Sequence, residues 1–106
     1  MKKEKIYILV AKGHKRYKKQ VNARTFEKNG ELYGIVGNCK EGYSLTHIKT
    51  GMAITFELYY RKLLAEIPEL IAKFEKLPAY YIENGIKLFE EAEILKEVEK
   101  WTNWKY

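Results

Sequence analysis

Between Lys5 and Ala11 the chain alternates, with Ile6, Ile8 and Val10 on one side of an extended segment and Tyr7, Leu9 and Ala11 on the other. Successive side chains of a strand point to opposite faces, so a strand apolar on both faces reads as central in its sheet or covered on both sides. Segments 21–28 and 31–37 flank Asn29-Gly30. That dipeptide predicts a two-residue hairpin, because a type I′ turn needs positive φ at both central residues. The turn sets the register. Lys28 then faces Glu31, Phe26 faces Tyr33 and Arg24 faces Ile35 on one side. Glu27 faces Leu32, Thr25 faces Gly34 and Ala23 faces Val36 on the other. The side carrying Phe26, Tyr33 and Ile35 has the larger apolar groups and is the expected core face. Segments 43–49 and 52–56 flank Thr50-Gly51, a weaker hairpin signal. A two-residue turn there places His47 opposite Ile54 and Leu45 opposite Phe56, with Ile48 and Ala53 sharing the other side.

From Phe56 the period becomes helical. Phe56, Tyr60, Leu63, Ile67, Leu70, Phe74 and Leu77 recur at spacings of three and four, and Leu64 and Ile71 widen the stripe. Glu57/Arg61, Lys62/Glu66 and Glu69/Lys73 are spaced as helix-surface ion pairs. The stripe keeps phase across Pro68, which predicts a kinked helix or a tightly joined pair. Pro78 ends the element. Residues 79–89, centred on Asn84-Gly85, read either as a short helix capped there or as a hairpin, with the helix favoured. Residues 90–104 read as a closing helix with Ile94, Leu95, Val98 and Trp101 on one side. Strands followed by helices without alternation predict an α+β fold. The expected architecture is one domain, 1–106, with an antiparallel sheet of about five strands, two hairpins among them, and two or three C-terminal helices packed on it.

Composition narrows the chemistry more than the fold. With 46 % hydrophobic and 32 % charged residues among 106, the chain reads as globular. The longest apolar run, Ile6 to Ala11, is too short to span a bilayer or to act as a signal peptide, and basic residues follow it where a cleavage site would stand. A soluble, cytoplasmic protein with no membrane partner is expected. Cys39 is the single cysteine, so an intramolecular disulfide and a multi-thiolate zinc site are excluded. Its expected role is a small, partly buried residue after a strand. Aspartate is absent from the sequence, and so are the phosphate-loop, dinucleotide, zinc-protease and nucleophile-elbow motifs. No cofactor, metal or catalytic set is implied. His47, among apolar neighbours, reads as a packed histidine with a backbone partner.

Charge supplies the functional expectation. Residues 1–54 hold twelve Lys/Arg and four Glu, whereas 55–106 hold eight Lys/Arg and ten Glu. Among the 20 basic residues only Arg16, Arg24 and Arg61 are arginine, a balance better suited to attracting phosphate than to reading base edges. The run Lys12-Gly13-His14-Lys15-Arg16-Tyr17-Lys18-Lys19 falls between two strands and is expected to be a loop or a mobile β-ribbon end. Lys12, His14, Lys15, Arg16, Tyr17, Lys18, Lys19 and Arg24 are the candidate anion-binding residues. The lysines would release counterions from phosphates and Tyr17 would stack on a base. Lys28, Lys40 and Lys49 would extend the patch if the hairpin ends converge on it. Aromatic residues supply a second candidate surface. Tyr59/Tyr60 and Tyr80/Tyr81 are each expected to put one ring inward and one outward. Trp101, Trp104 and Tyr106 are candidate docking residues for a partner or a second copy. Glu90, Glu91, Glu93, Glu97 and Glu99 read as a solvated face.

The leading expectation is a non-enzymatic module that captures a polyanion, most plausibly nucleic acid without strong sequence preference. The alternative is an inhibitor or adaptor docked on a protein effector through an acidic groove, or one that sequesters a nucleotide signal. A compact, lysine-rich chain with no catalytic signature is the kind of product phages and mobile elements make to block host defence, an expectation that rests on size and composition and on no family resemblance. A third reading is a metal-independent ribonuclease using His14, Arg16 and Tyr17, the residue types such sites employ.

Overall fold

In the computed structural model, which describes residues 1–95, five consecutive strands form an antiparallel meander. They are β1 (Lys2–Lys12), β2 (Lys15–Lys28), β3 (Glu31–Asn38), β4 (Gly42–His47) and β5 (Met52–Glu57). Helices α1 (Tyr60–Glu75) and α2 (Ala79–Glu91) follow, and the short β6 (Glu93–Ile94) returns to pair in parallel with β2 at Tyr17 and Lys18. The α+β class and the strands-then-helices order are as the sequence predicts. None of these helices is long and apolar enough to cross a membrane.

The β2–β3 hairpin has the register read from its turn, pair for pair, from Lys28↔Glu31 to Ala23↔Val36. Asn29 and Gly30 sit at φ 53° and 81°, the left-handed values a type I′ turn requires. This places Tyr33, Ile35 and Phe26 on the face that meets α1. Tyr33, Ile35, Leu45, Leu63 and Ile71 form the buried core, with Phe26, Tyr43, Ile54, Tyr60, Ile67, Leu70 and Phe74 packed against it. Each such apolar side chain contributes about 1.5–3 kcal/mol on burial. Asn29 Nδ2 donates to Glu75 Oε2 at 2.8 Å, tying the turn to the C-terminal end of α1.

Several expectations are corrected. The chain between β1 and β2 is neither a loop nor free: Lys12 pairs with Lys15, and only Gly13 and His14 turn, with Gly13 at φ 65°. Glycine at the first central position is the mark of a type II′ hairpin. β1 is an edge strand rather than a central one. Its Ile6 is buried and Tyr7 to Val10 are half-buried, and the Leu9 N–H donates to Gly51 O at 2.9 Å, so the β4–β5 loop closes part of its outer edge. The β4–β5 register is two residues away from a Thr50-Gly51 turn. His47 pairs with Met52 and Leu45 with Thr55, with a bulge at Leu45/Thr46. A longer loop wins because the Gly51 N–H closes on His47 O at 2.8 Å and Thr50 is buried beneath it.

The helical stripe is real between Tyr60 and Phe74, but Phe56 belongs to β5 and is 58 % exposed, and Leu77 lies beyond α1. The helix runs through Pro68 unbroken. The Glu69–Lys73 pair forms at 3.4 Å, while Glu57 pairs with Lys62 rather than Arg61. α2 is helical through Asn84-Gly85, so the dipeptide neither caps nor turns. Gly85 is a close approach instead: a Cβ there would lie 3.2 Å from Thr50 Cγ2. The expected closing helix does not begin at Glu90: α2 ends at Glu91, and Glu93–Ile94 is extended because the open edge of β2 beyond β3 offers it a backbone partner. Leu95 N–H donates to Lys18 O at 2.8 Å, completing that junction. The rest of the closing helix lies outside the described residues. Tyr60 packs inward and Tyr59 outward as expected, but Tyr80 and Tyr81 are both exposed.

Leu63 is fully buried at the centre of the α1–sheet contact. Leu63→Ala is therefore expected to lower the unfolding free energy by about 2–5 kcal/mol in urea titrations. A loss well under 1 kcal/mol would show that α1 does not pack on this sheet as described.

Candidate functional site

Strand alternation distributes the basic run over both faces of the sheet. Residues opposed in the register share a face, so Arg16, Lys18 and Arg24 lie on the side of the helices, whereas Lys12, Lys15, Tyr17 and Lys19 lie on the other. His14 stands in the turn. The run is thus not one surface, and Arg16 and Tyr17, which a ribonuclease site would need together, point apart. Its far end also meets carboxylates and α2. Lys15 Nζ is 3.7 Å from Glu93 Oε1, and Lys18 Nζ donates to Glu90 O at 3.2 Å while lying 5.4 Å from the Phe89 ring centre. Trp101, Trp104 and Tyr106 lie outside the described residues.

At the opposite end of the β1–β2 hairpin a different cluster forms. Lys3 pairs directly with Arg24, and Lys5 with Asn22, all on the helix side of the sheet. Together with Glu4, Ala23, Ile35, Gly37, Asn38, Cys39, Tyr43 and Tyr60 they line a cavity of about 860 Å³. This falls in the size range of small-molecule pockets. The Arg24 guanidinium lies 5.1 Å from the Tyr60 ring centre, and Tyr60 in turn lies 5.2 Å from Tyr43 at an interplanar angle of 57°. Cation–π contact holds the guanidinium plane while leaving its N–H donors available.

The local sequence explains each position. Alternation along β1 puts Lys3 and Lys5 on one face and turns Glu4 to the other, where its carboxylate accepts a hydrogen bond from Thr25 Oγ1. Glu4 is the carboxylate among the lining residues, and Glu57, across from Tyr43 in the register, is held by Lys62 at 3.6 Å and by the Leu58 N–H. Among the described residues, the side chains of Lys3 and Lys5 have no carboxylate partner. The rim is shaped by Asn38, whose Oδ1 accepts the Lys40 and Glu41 N–H groups at 2.9 Å each, an Asx turn that presents Cys39. Cys39 is exposed there, not partly buried as expected. The N-terminus of α1 adds positive potential beside Tyr60, since no side chain caps it and its first turn is free of acidic residues.

Of the sequence-predicted residues only Arg24 belongs to this site; Lys3, Lys5, Tyr43, Tyr60 and Cys39 do not figure among them. A signal for the lysines is present, because Lys-x-Lys at the start of a strand opposite Arg24 must share its face. The signal needs the β1–β2 register, which the unrecognised Gly13-His14 turn supplies. Tyr43 and Tyr60 are far apart in sequence, and only packing brings their rings together.

His47 is a packed residue, 1 % exposed, but its partners are side chains rather than backbone. Its Nδ1 is 2.9 Å from Thr50 Oγ1 and its Nε2 3.3 Å from Glu31 Oε2, with Tyr33 and Phe74 around the ring. Burial lowers its pKa from the ordinary 6.5, opposed by the hydrogen bond and charge of Glu31 and aided slightly by Lys49. The neighbouring Tyr33 hydroxyl is buried without a hydrogen-bond partner among the described residues, and burial raises its pKa. No cluster of metal-ligating side chains occurs among the described residues. Comparison of the chain with protein-family models, with curated proteins and with solved structures finds no match.

A histidine with a lowered folded-state pKa binds fewer protons when folded than when unfolded. Stability is therefore full above pH 6.5 and falls as the pH drops below that value, levelling once the folded protein also protonates. Unfolding titrations across this range are expected to show that loss, and His47→Gln to remove the slope. A wild-type protein that gains stability on acidification through this window would contradict the buried, neutral imidazole.

Proposed function

We propose that the protein is a non-enzymatic module that captures a polyanion, nucleic acid without strong sequence preference, through the helix-side surface of its β1–β2 hairpin. The observation that carries this reading is the cavity beside Lys3, Lys5 and Arg24, where three cations face an open concave site and neither lysine has a carboxylate partner among the described residues. On that face β2 continues with Asn22 and Gln20, and β1 with Tyr7, before Lys18 comes under α2 at Phe89 and the Glu90 carbonyl. At a strand rise of about 3.3 Å per residue the stretch from Arg24 to Gln20 spans roughly 13 Å, room for about two phosphates. Lysine-rich contacts of this kind attract phosphate through counterion release and carry little sequence information.

The charge distribution favours the cavity end over the turn end. Near the turn, Glu90, Glu91 and Glu93 stand beside the basic run and Lys15 is already paired. A second reading, docking on a protein effector, draws on the exposed Phe56, Leu58 and Tyr59 at the β5–α1 connection, at 58, 59 and 69 % exposure. A large apolar group exposed next to others is a feature of interaction surfaces. Capture of a protein that persists after nuclease treatment and is lost with Phe56→Ser and Tyr59→Ser would favour that reading.

Binding of a labelled single-stranded oligonucleotide is expected to weaken linearly with log salt. Replacing Lys3, Lys5 and Arg24 together by Ala is expected to reduce the slope by about 2, the change for three phosphate contacts on a single strand. Replacing Lys12, Lys15 and Lys19 on the other face should change it far less. No binding at low salt, or equal slopes for the cavity variant and the wild type, would overturn the proposal.

A further inference from the structure

The cavity combines three features that a surface serving only to attract a phosphate backbone does not need. It is concave, it contains two aromatic rings, and its cations stand on one side of those rings. Tyr43 and Tyr60 are tilted by 57° and so do not stack on each other, which leaves ring surface facing the cavity. The guanidinium of Arg24 covers Tyr60 and presents a second flat surface, one that stacks on nucleobases as readily as it pairs with phosphate. Lys3 and Lys5, two residues apart on an extended strand, stand roughly 7 Å from each other along the same face. Asn22 and Asn38 supply the polar edge, although the Asn38 carbonyl is already engaged by its own turn.

At about 860 Å³ the cavity has room for a planar heterocycle with its sugar and phosphate, whereas the bases of a duplex are stacked inside the helix and do not reach its rings. On the proposed anion-binding reading, on which this step rests, we infer that the cavity takes one unpaired nucleotide of a single strand. The base inserts against Tyr43, Tyr60 and the Arg24 plane, and the flanking phosphates lie on Lys3 and Lys5. Every base has a π-face, so the site discriminates strandedness rather than sequence.

Cys39 makes the inference testable without altering the site, because it is the single cysteine of the chain, is exposed and lines the same cavity. The test compares a short oligothymidylate with an abasic oligomer of equal length and charge, and follows alkylation of Cys39 by N-ethylmaleimide. The wild type is expected to bind the base-bearing strand roughly tenfold more tightly than the abasic one, and only the former slows alkylation. Tyr43→Leu is expected to bring the two strands close to parity, whereas Tyr43→Phe keeps the difference. A duplex of the same sequence is expected to bind more weakly than the single strand. Equal affinity for both oligomers in the wild type would overturn base insertion while leaving polyanion capture standing. Absence of binding by either oligomer would overturn both. Tight binding of oligothymidylate with unchanged alkylation of Cys39 would place the base elsewhere and overturn the assigned cavity, a result that does not depend on how any variant folds.

Discussion

The arrangement rests on the backbone pairing of β2, the longest strand. Over its 14 residues it pairs with β1 along one edge, and along the other it pairs with β3 and then, past the end of β3, with β6. The left-handed pair Asn29-Gly30 sets where β3 begins, and the Gly13-His14 turn sets where β1 ends. A shift of one residue in either pairing would exchange the two faces of a strand. Tyr33 and Ile35 would leave the core, and Lys3 would no longer stand beside Arg24. Hairpin register therefore determines both the interior and the charged surface.

That constraint explains why the most conspicuous basic stretch does not form one surface. In a strand, neighbouring side chains point to opposite faces, so a continuous basic run halves its density on each face. The half on the helix side then comes under α2, with Lys18 on Phe89 and the Glu90 carbonyl, while Lys15 on the other side meets Glu93. The acidic end of the second helix offsets the basic turn. At the other end β1 begins with lysine at alternate positions, and the intervening Glu4, which also lines the cavity, accepts a hydrogen bond from Thr25. Lys3 and Lys5 of β1 and Arg24 of β2 thus stand together on the helix side, beside Tyr60 at the start of α1.

Legibility followed the range of the interaction. The β2–β3 register, the core face of that hairpin and the stripe of α1 rest on near neighbours and were readable residue by residue. The β4–β5 pairing was not, because Thr50 is drawn under the loop by His47 and the loop closes on four residues instead of two. Asn84-Gly85 carried a strong local turn preference that packing overrode: α2 continues through the pair and passes close to Thr50 at Gly85, where a Cβ would lie 3.2 Å from Thr50 Cγ2. The candidate site was legible only in Arg24, since its aromatic wall joins β4 to α1 and its lysines depend on a turn that local signals marked weakly.

The sequence by itself determined the class of fold, the succession of strands and then helices, the single cysteine and the lack of aspartate, and the excess of positive charge in the first half. These follow from periodicity, turn chemistry and residue inventory, which act over a few positions. Only the tertiary structure decided that β1 is an edge strand, that residues 93–94 extend the sheet, and that Lys3, Lys5, Arg24, Tyr43 and Tyr60 meet around one cavity. Such juxtapositions depend on which surfaces exclude water together across the whole chain, and no local pattern encodes that.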